Sequence, residues 1–168
     1  MNAKKDYQLR SEHMLRELQD KASSCYEWGN LEQASRMMEE LVEYCAAVGS
    51  FQTVACLEIT MTYIEQLMKA GRNDQALDLA RKVFEARKKK LSLMSKETLQ
   101  SYHLLPILLN RLKRYQEAVE WSTQLQKLQL YVFGYGPPLM ETKAELALAL
   151  YKIGKPKRAG RLISKILK

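Results

Sequence analysis

GNLEQA at residues 29–34, GRNDQA at 71–76, KRYQEA at 113–118 and GKPKRA at 154–159 are four variants of one string, each ending in alanine. The alanines Ala34, Ala76, Ala118 and Ala159 are spaced by 42, 42 and 41 residues. Near-equal intervals between matching strings mark a tandem repeat. Each copy is then one supersecondary element that buries its apolar face only by stacking on its neighbours.

On both sides of each string the apolar residues recur at spacings of three and four, which is the period of a helix face. After the strings the faces are Leu31, Ala34, Met38, Leu41, Val42 and Cys45; Ala76, Leu79, Ala80, Val83 and Phe84; Ala118, Trp121, Leu125 and Leu128; and Ala159, Leu162, Ile163, Ile166 and Leu167. Before them lie Leu15, Leu18, Ala22, Cys25 and Tyr26; Leu57, Met61, Ile64 and Leu67; Leu105, Leu108, Leu109 and Leu112; and Leu146, Ala147, Leu150 and Tyr151. Every copy is therefore a pair of helices, and the strings are the turns between them. Gly29, Gly71 and Gly154 fall where the first helix must end in a left-handed residue, a conformation that glycine takes without steric cost. Gly49-Ser50, Ser92 to Lys96 and the GYGPP of residues 134–138 separate successive pairs. Ser95 is placed to cap a helix starting near Glu97, and Pro137 and Pro138 suit a helix beginning. Pro106 conflicts with this reading, because a proline in mid-helix removes a backbone hydrogen bond and costs about 3 kcal/mol if uncompensated. It either bends its helix or is accommodated locally.

Composition agrees with a folded chain. In 168 residues, 46% are hydrophobic and 27% charged, which argues against disorder, low complexity and a membrane protein. The three cysteines, Cys25, Cys45 and Cys56, match neither a disulfide framework nor a paired metal motif. They are expected to be reduced and packed. No segment has the apolar core of a signal peptide. The expectation is a cytoplasmic protein, with a nuclear location compatible.

The net charge of +8 comes from 27 basic and 19 acidic residues, and it is uneven. Residues 1–65 hold 6 basic and 11 acidic groups, a net of −5, and residues 66–168 hold 21 and 8, a net of +13. From Leu146 onward there are seven basic residues and no acid, so residues 1–145 carry only +1. Such polarity points to a partner docking at one end.

A helix, a tight turn at glycine, a G-x-x-x-x-A string opening a second helix and small residues where the two helices meet resemble tetratricopeptide repeats. The period of 42 resembles the longer form seen in kinesin light chains. The resemblance runs from about Asp6 to Leu167 and implies an all-α, right-handed α-solenoid of four tetratricopeptide-like hairpins, about eight helices in all. The repeats are expected at residues 7–48, 50–91, 96–132 and 137–168, as one array over residues 1–168. Three residues depart from the family pattern: Lys113 replaces a turn glycine, Pro106 stands where a small residue is expected, and Lys21 stands where an apolar one is.

The family's extended concave face, lined by the first helix of each pair, suits a peptide segment of a partner. The resemblance carries that groove onto Gln19, Ser23 and Tyr26; Met61, Glu65, Met68 and Lys69; His103, Ile107, Asn110 and Arg111; and Leu148, Tyr151 and Lys152. The carboxylate clamp of the chaperone-binding subset needs Lys and Asn pairs. Here those positions read Gln19 and Ser23, Met61 and Glu65, His103 and Ile107, so chaperone C-termini are disfavoured ligands. Met61 and Met68 suit an adaptable apolar contact, or simply core.

Reaction chemistry is not assembled in the sequence. His13 and His103 fall in different repeats, Glu39, Glu40 and Glu43 read as a solvated helix face, and FGYGPP is neither a P-loop nor a dinucleotide turn. No cofactor and no metal are expected. The reading is a non-catalytic adaptor or scaffold that binds another protein through an acidic or acidic-hydrophobic segment, with no membrane partner. Lys155, Lys157, Arg158, Arg161 and Lys165 form a basic patch on the last repeat. With Arg87-Lys-Lys-Lys90 and the aromatics Tyr131, Phe133 and Tyr135, read as a loop, it supports an alternative of nucleic-acid binding. A further alternative is a regulatory tetratricopeptide module of a larger enzyme, or a small chaperone of that class.

Overall fold

The structure, a computed structural model, describes residues 3–47 and 54–166, and among these every regular element is a helix. The helices are α1 (Ala3–Glu27), α2 (Leu31–Ala47), α3 (Val54–Lys69), α4 (Asn73–Leu91), α5 (Lys96–Arg111), α6 (Tyr115–Phe133), α7 (Pro137–Lys152) and α8 (Pro156–Ile166). The periodicity of the sequence therefore places the eight helices correctly. Gly49-Ser50, Leu167 and the side chain of Leu31 lie outside the described residues. The helices fall into two compact units, Met1–Ala70 and Gly71–Lys168.

In the first unit α1 pairs with α2, and α3 packs against both. Ala22, Ala34, Met38, Cys45, Ile59 and Ile64 are fully buried there. Gln19 of α1 donates through Nε2 to the Thr62 hydroxyl of α3 at 3.2 Å, and the hydroxyls of Ser35 and Tyr63 are 3.4 Å apart. A disulfide joins Cys45 of α2 to Cys56 of α3, with their Cα atoms 5.7 Å apart. The expectation of packed cysteines holds, because both are fully buried, but the expectation of reduced thiols does not. The reason is topological: the end of α2 and the start of α3 face each other across a short connection, which a bare spacing of 11 residues does not reveal. Cys25 is a free, half-buried thiol. Lys21, flagged as an apolar position, is exposed.

In the second unit α4 packs on α5, α5 on α6, α6 on α7 and α7 on α8, while α5 and α7 also lie side by side. The marker alanines Ala76, Ala118 and Ala159 are buried at 0%, 0% and 3% exposure, so the string keeps a small residue where a helix passes close to its neighbour. Phe84, Tyr102 and Trp121 bring α4, α5 and α6 together, with ring centroids 4.7, 5.9 and 5.2 Å apart in tilted and edge-on geometry. Burial pushes the Tyr102 phenol up to about 12, and its neutral hydroxyl donates to Gln124 Oε1 at 3.0 Å. Arg87, the first residue of the basic run Arg87 to Lys90, is buried: it donates to the carbonyl of Glu97 and the hydroxyl of Ser101, tying α4 to α5.

The turns explain the strings. After α1, Asn30 N–H donates to the Cys25 carbonyl and Gly29 N–H to that of Tyr26. After α5 the same pair of bonds runs from Arg114 to Leu109 and from Lys113 to Asn110, and after α7 from Lys155 to Leu150 and from Gly154 to Tyr151. This closes the otherwise orphaned carbonyls of each helix end and requires a left-handed residue. Gly29 and Gly154 have φ of 80° and 76°, and Lys113 takes the same conformation at 61°. Ser95 caps α5 by accepting from the Thr98 N–H at 3.1 Å, and α7 begins on Pro137. α5 is continuous through Pro106, which is buried.

Candidate functional site

The residues assigned to a groove by resemblance fall on α1 and α3 in the first unit and on α5 and α7 in the second. In the first unit, the Lys69 ammonium lies 5.8 Å from the centre of the Tyr26 ring, so these two meet across α1 and α3. Met61 and Met68 are half-buried, and Glu65 and Lys69 are exposed. Met61 and Met68 therefore offer only part of their surface.

In the second unit the side-by-side packing of α5 and α7 builds one continuous face. His103 is mostly covered, and its Nδ1 stands 3.8 Å from Glu141 Oε2 on α7. Burial holds the His103 imidazole below its ordinary range, against the opposing pull of the Glu141 and Glu145 carboxylates. Further along α5, Asn110 is buried and donates through Nδ2 to both the backbone carbonyl of Glu145, at 3.0 Å, and its carboxylate, at 2.6 Å. Asn110, one of the sequence-assigned recognition residues, thus ties α5 to α7, and His103 lies mostly covered beside Glu141. The acids that face them, Glu141 and Glu145, were missed by the sequence reading. Their spacing of four along α7, on the side a neighbouring helix must take, was the available signal.

Toward the C-terminal ends of α5 and α7 the same face changes sign. Arg111 and Lys152, which occupy equivalent positions 41 residues apart, are both exposed. Beside them Leu148 is 44% and Tyr151 62% exposed, although Tyr151 follows the core period of its helix. The face therefore runs from carboxylates at Glu141 to apolar surface and two cations at its other end.

The basic patch lies on α8 and the turn before it, and Lys155, Lys157, Arg158, Arg161 and Lys165 are all exposed. The aromatics read as a loop are not: Tyr131 and Phe133 belong to the last turn of α6, and only Tyr135 follows it. Tyr135 is covered on one side by the Lys143 ammonium, 5.0 Å from its ring centre. Of the run Arg87 to Lys90, Lys88 pairs with Glu85 and lies 5.6 Å from the Phe84 ring. Among the described residues no three His, Cys, Asp or Glu side chains converge as metal ligands, and no helix is long and apolar enough to cross a membrane.

No protein-family model and no curated protein sequence matches the chain. Solved structures do. A crystal structure of kinesin-light-chain-type, nearly identical TPR-like repeats from Podosopora anserina, determined on a point variant, aligns over 98% of this chain and 79% of that one, at 24% identity and a TM-score of 0.80. BtubC (BKLC) of P. vanneervenii aligns over 86% of this chain and 58% of that one, at 15% identity and a TM-score of 0.74. MamA of Desulfovibrio magneticus RS-1 aligns over 91% and 93%, at 13% identity and a TM-score of 0.51. The chain has an all-α, TPR-like solenoid fold.

Proposed function

We propose that the protein is a non-catalytic scaffold that binds a segment of another protein. The TPR-like fold supports this coarse reading, since stacked helical hairpins present extended surfaces rather than enclosed pockets for chemistry. The observation that carries the finer reading is the α5–α7 face, where exposed Leu148 and Tyr151 adjoin the cations Arg111 and Lys152.

That surface fits an extended segment combining apolar and acidic side chains. Its electrostatic gradient also sets a direction: the acidic part of the ligand lies toward Arg111 and Lys152 and away from Glu141. In the first unit Lys69 and half-buried Met61 and Met68 provide a second patch of the same composition. The exposed cations of α8 add a longer-range, salt-sensitive attraction that raises the association rate more than the affinity. Titration of labelled acidic-apolar peptides into the wild-type chain and charge-reversed variants at Arg111 and Lys152 tests this placement.

A further inference from the structure

The first hairpin carries an apolar cavity of about 170 Å³ between α1 and α2, lined by Met14, Leu15 and Leu18 on one helix and by Met37, Leu41 and Tyr44 on the other. The repeat register says what such a space is for. A shift of 84 residues, the distance from Ala34 to Ala118, carries Leu18 onto Tyr102, Met37 onto Trp121 and Leu41 onto Leu125. In the α5–α6 hairpin that same space is filled: Phe84 of the preceding helix α4 sits against Tyr102 and Trp121 and is only 4% exposed. The cavity of α1–α2 is therefore the counterpart of a socket that elsewhere in this molecule receives the second helix of another hairpin. Its rim is open, with Met14 50% and Tyr44 43% exposed.

The matching plug is on α8. A shift of 83 residues, from Ala76 to Ala159, aligns Ile163 and Ile166 with Ala80 and Val83 of α4. Ala80 and Val83 are fully buried, whereas Ile163 is 47% exposed and Ile166 half-buried. The register partner of Phe84 itself, Leu167, lies outside the described residues. Charge agrees with shape. α8 carries exposed Lys157, Arg158, Arg161 and Lys165, and from Leu146 onward the chain has no acid. Glu40 lines the α1–α2 cavity, Glu39 and Glu43 are exposed on the same helix, and residues 1–65 carry a net −5.

We infer that the α1–α2 cavity is a docking site for α8 of a second copy of this chain, which packs there as α4 packs on α5 and α6. The contact joins unlike surfaces, the cavity of one copy and α8 of another, so it is heterologous. This self-association does not depend on the peptide-binding face of α5 and α7.

Sedimentation velocity on the intact chain, from low micromolar to submillimolar concentration, tests it. The wild-type mass rises with concentration above the 19.5 kDa of one chain. Raising salt from about 0.05 to 0.5 M lowers the association constant by about tenfold or more, because screening shortens the reach of the opposed charges. Met14→Glu at the socket and Ile163→Asp at the plug each give a monomer. Mixing the two variants restores a complex that stops at a dimer, because one retains the plug and the other the socket. Circular dichroism confirms that both stay folded. Should either unfold, Glu40→Lys at the cavity takes the place of Met14→Glu and Ile163→Lys that of Ile163→Asp, with the same outcome on mixing. A wild-type chain that stays monomeric at every concentration, or a mixture of the two variants that remains monomeric while the wild type associates, overturns the inference.

Discussion

Lys113 shows how strongly the repeat enforces its turn. The backbone bonds from Lys113 to Asn110 and from Arg114 to Leu109 repeat those at Gly29 and Gly154, and they leave Lys113 at φ 61°. A side chain in the left-handed region costs about 1–2 kcal/mol, part of which glycine would return as unfolded-chain entropy. Lys113→Gly is therefore expected to stabilise the chain by about 1 kcal/mol in urea unfolding, and Gly154→Ala to destabilise it by a similar amount. His103 gives a second residue-scale expectation. Burial lowers its folded pKa below the unfolded value, and the facing carboxylates of Glu141 and Glu145 only partly offset this. The unfolded chain thus takes up the proton first as pH falls. Stability is full above the ordinary histidine range and declines as pH drops through about 6.5. His103→Gln is expected to flatten that decline in urea midpoints measured at mildly acidic and mildly alkaline pH.

At the scale of elements, the junction of α4 with α5 rests on two devices. Phe84 fills the space between Tyr102 and Trp121, and Arg87 donates across to Glu97 and Ser101. Phe84→Ala removes a nearly fully buried ring and is expected to cost about 3–5 kcal/mol, read as a fall in the urea midpoint without loss of helix in the unaffected repeats. A cost below about 1 kcal/mol means that the aromatic cluster does not hold these helices together. The helices themselves were legible in the sequence, because period, turn glycines and the Ser95 cap all act within a few residues of one another. Side-chain roles set by packing between helices were not. Arg87 reads as one cation of a basic run until α5 covers it, Asn110 has no visible partner until Glu145 accepts from it, and Tyr131 and Phe133 read as loop until α6 extends beneath them. Tyr151 and Ile163 share the core period of their helices yet remain exposed, because a helical repeat specifies which face will stack but not whether a neighbour is present to cover it. Pro106 belongs to the same class, since its helix stays continuous inside a packed core.

At the scale of the whole molecule, charge is distributed by position: acidic in residues 1–65, balanced over residues 1–145 taken together and wholly basic after Leu146. The helical repeat supplies surface, and this polarity supplies direction, both for an extended ligand on α5 and α7 and for α8 of one copy meeting the α1–α2 cavity of another. The most direct measurement of the binding reading is a fluorescence-anisotropy titration of acidic-apolar peptides against the wild-type chain, Arg111→Glu, Lys152→Glu and the double variant. Each charge reversal is expected to weaken binding by up to about tenfold, about 1.4 kcal/mol, with the double variant weakest and the helical content unchanged. An affinity that is the same in the wild type and in the double variant contradicts the assignment of α5 and α7 as the face that binds the partner.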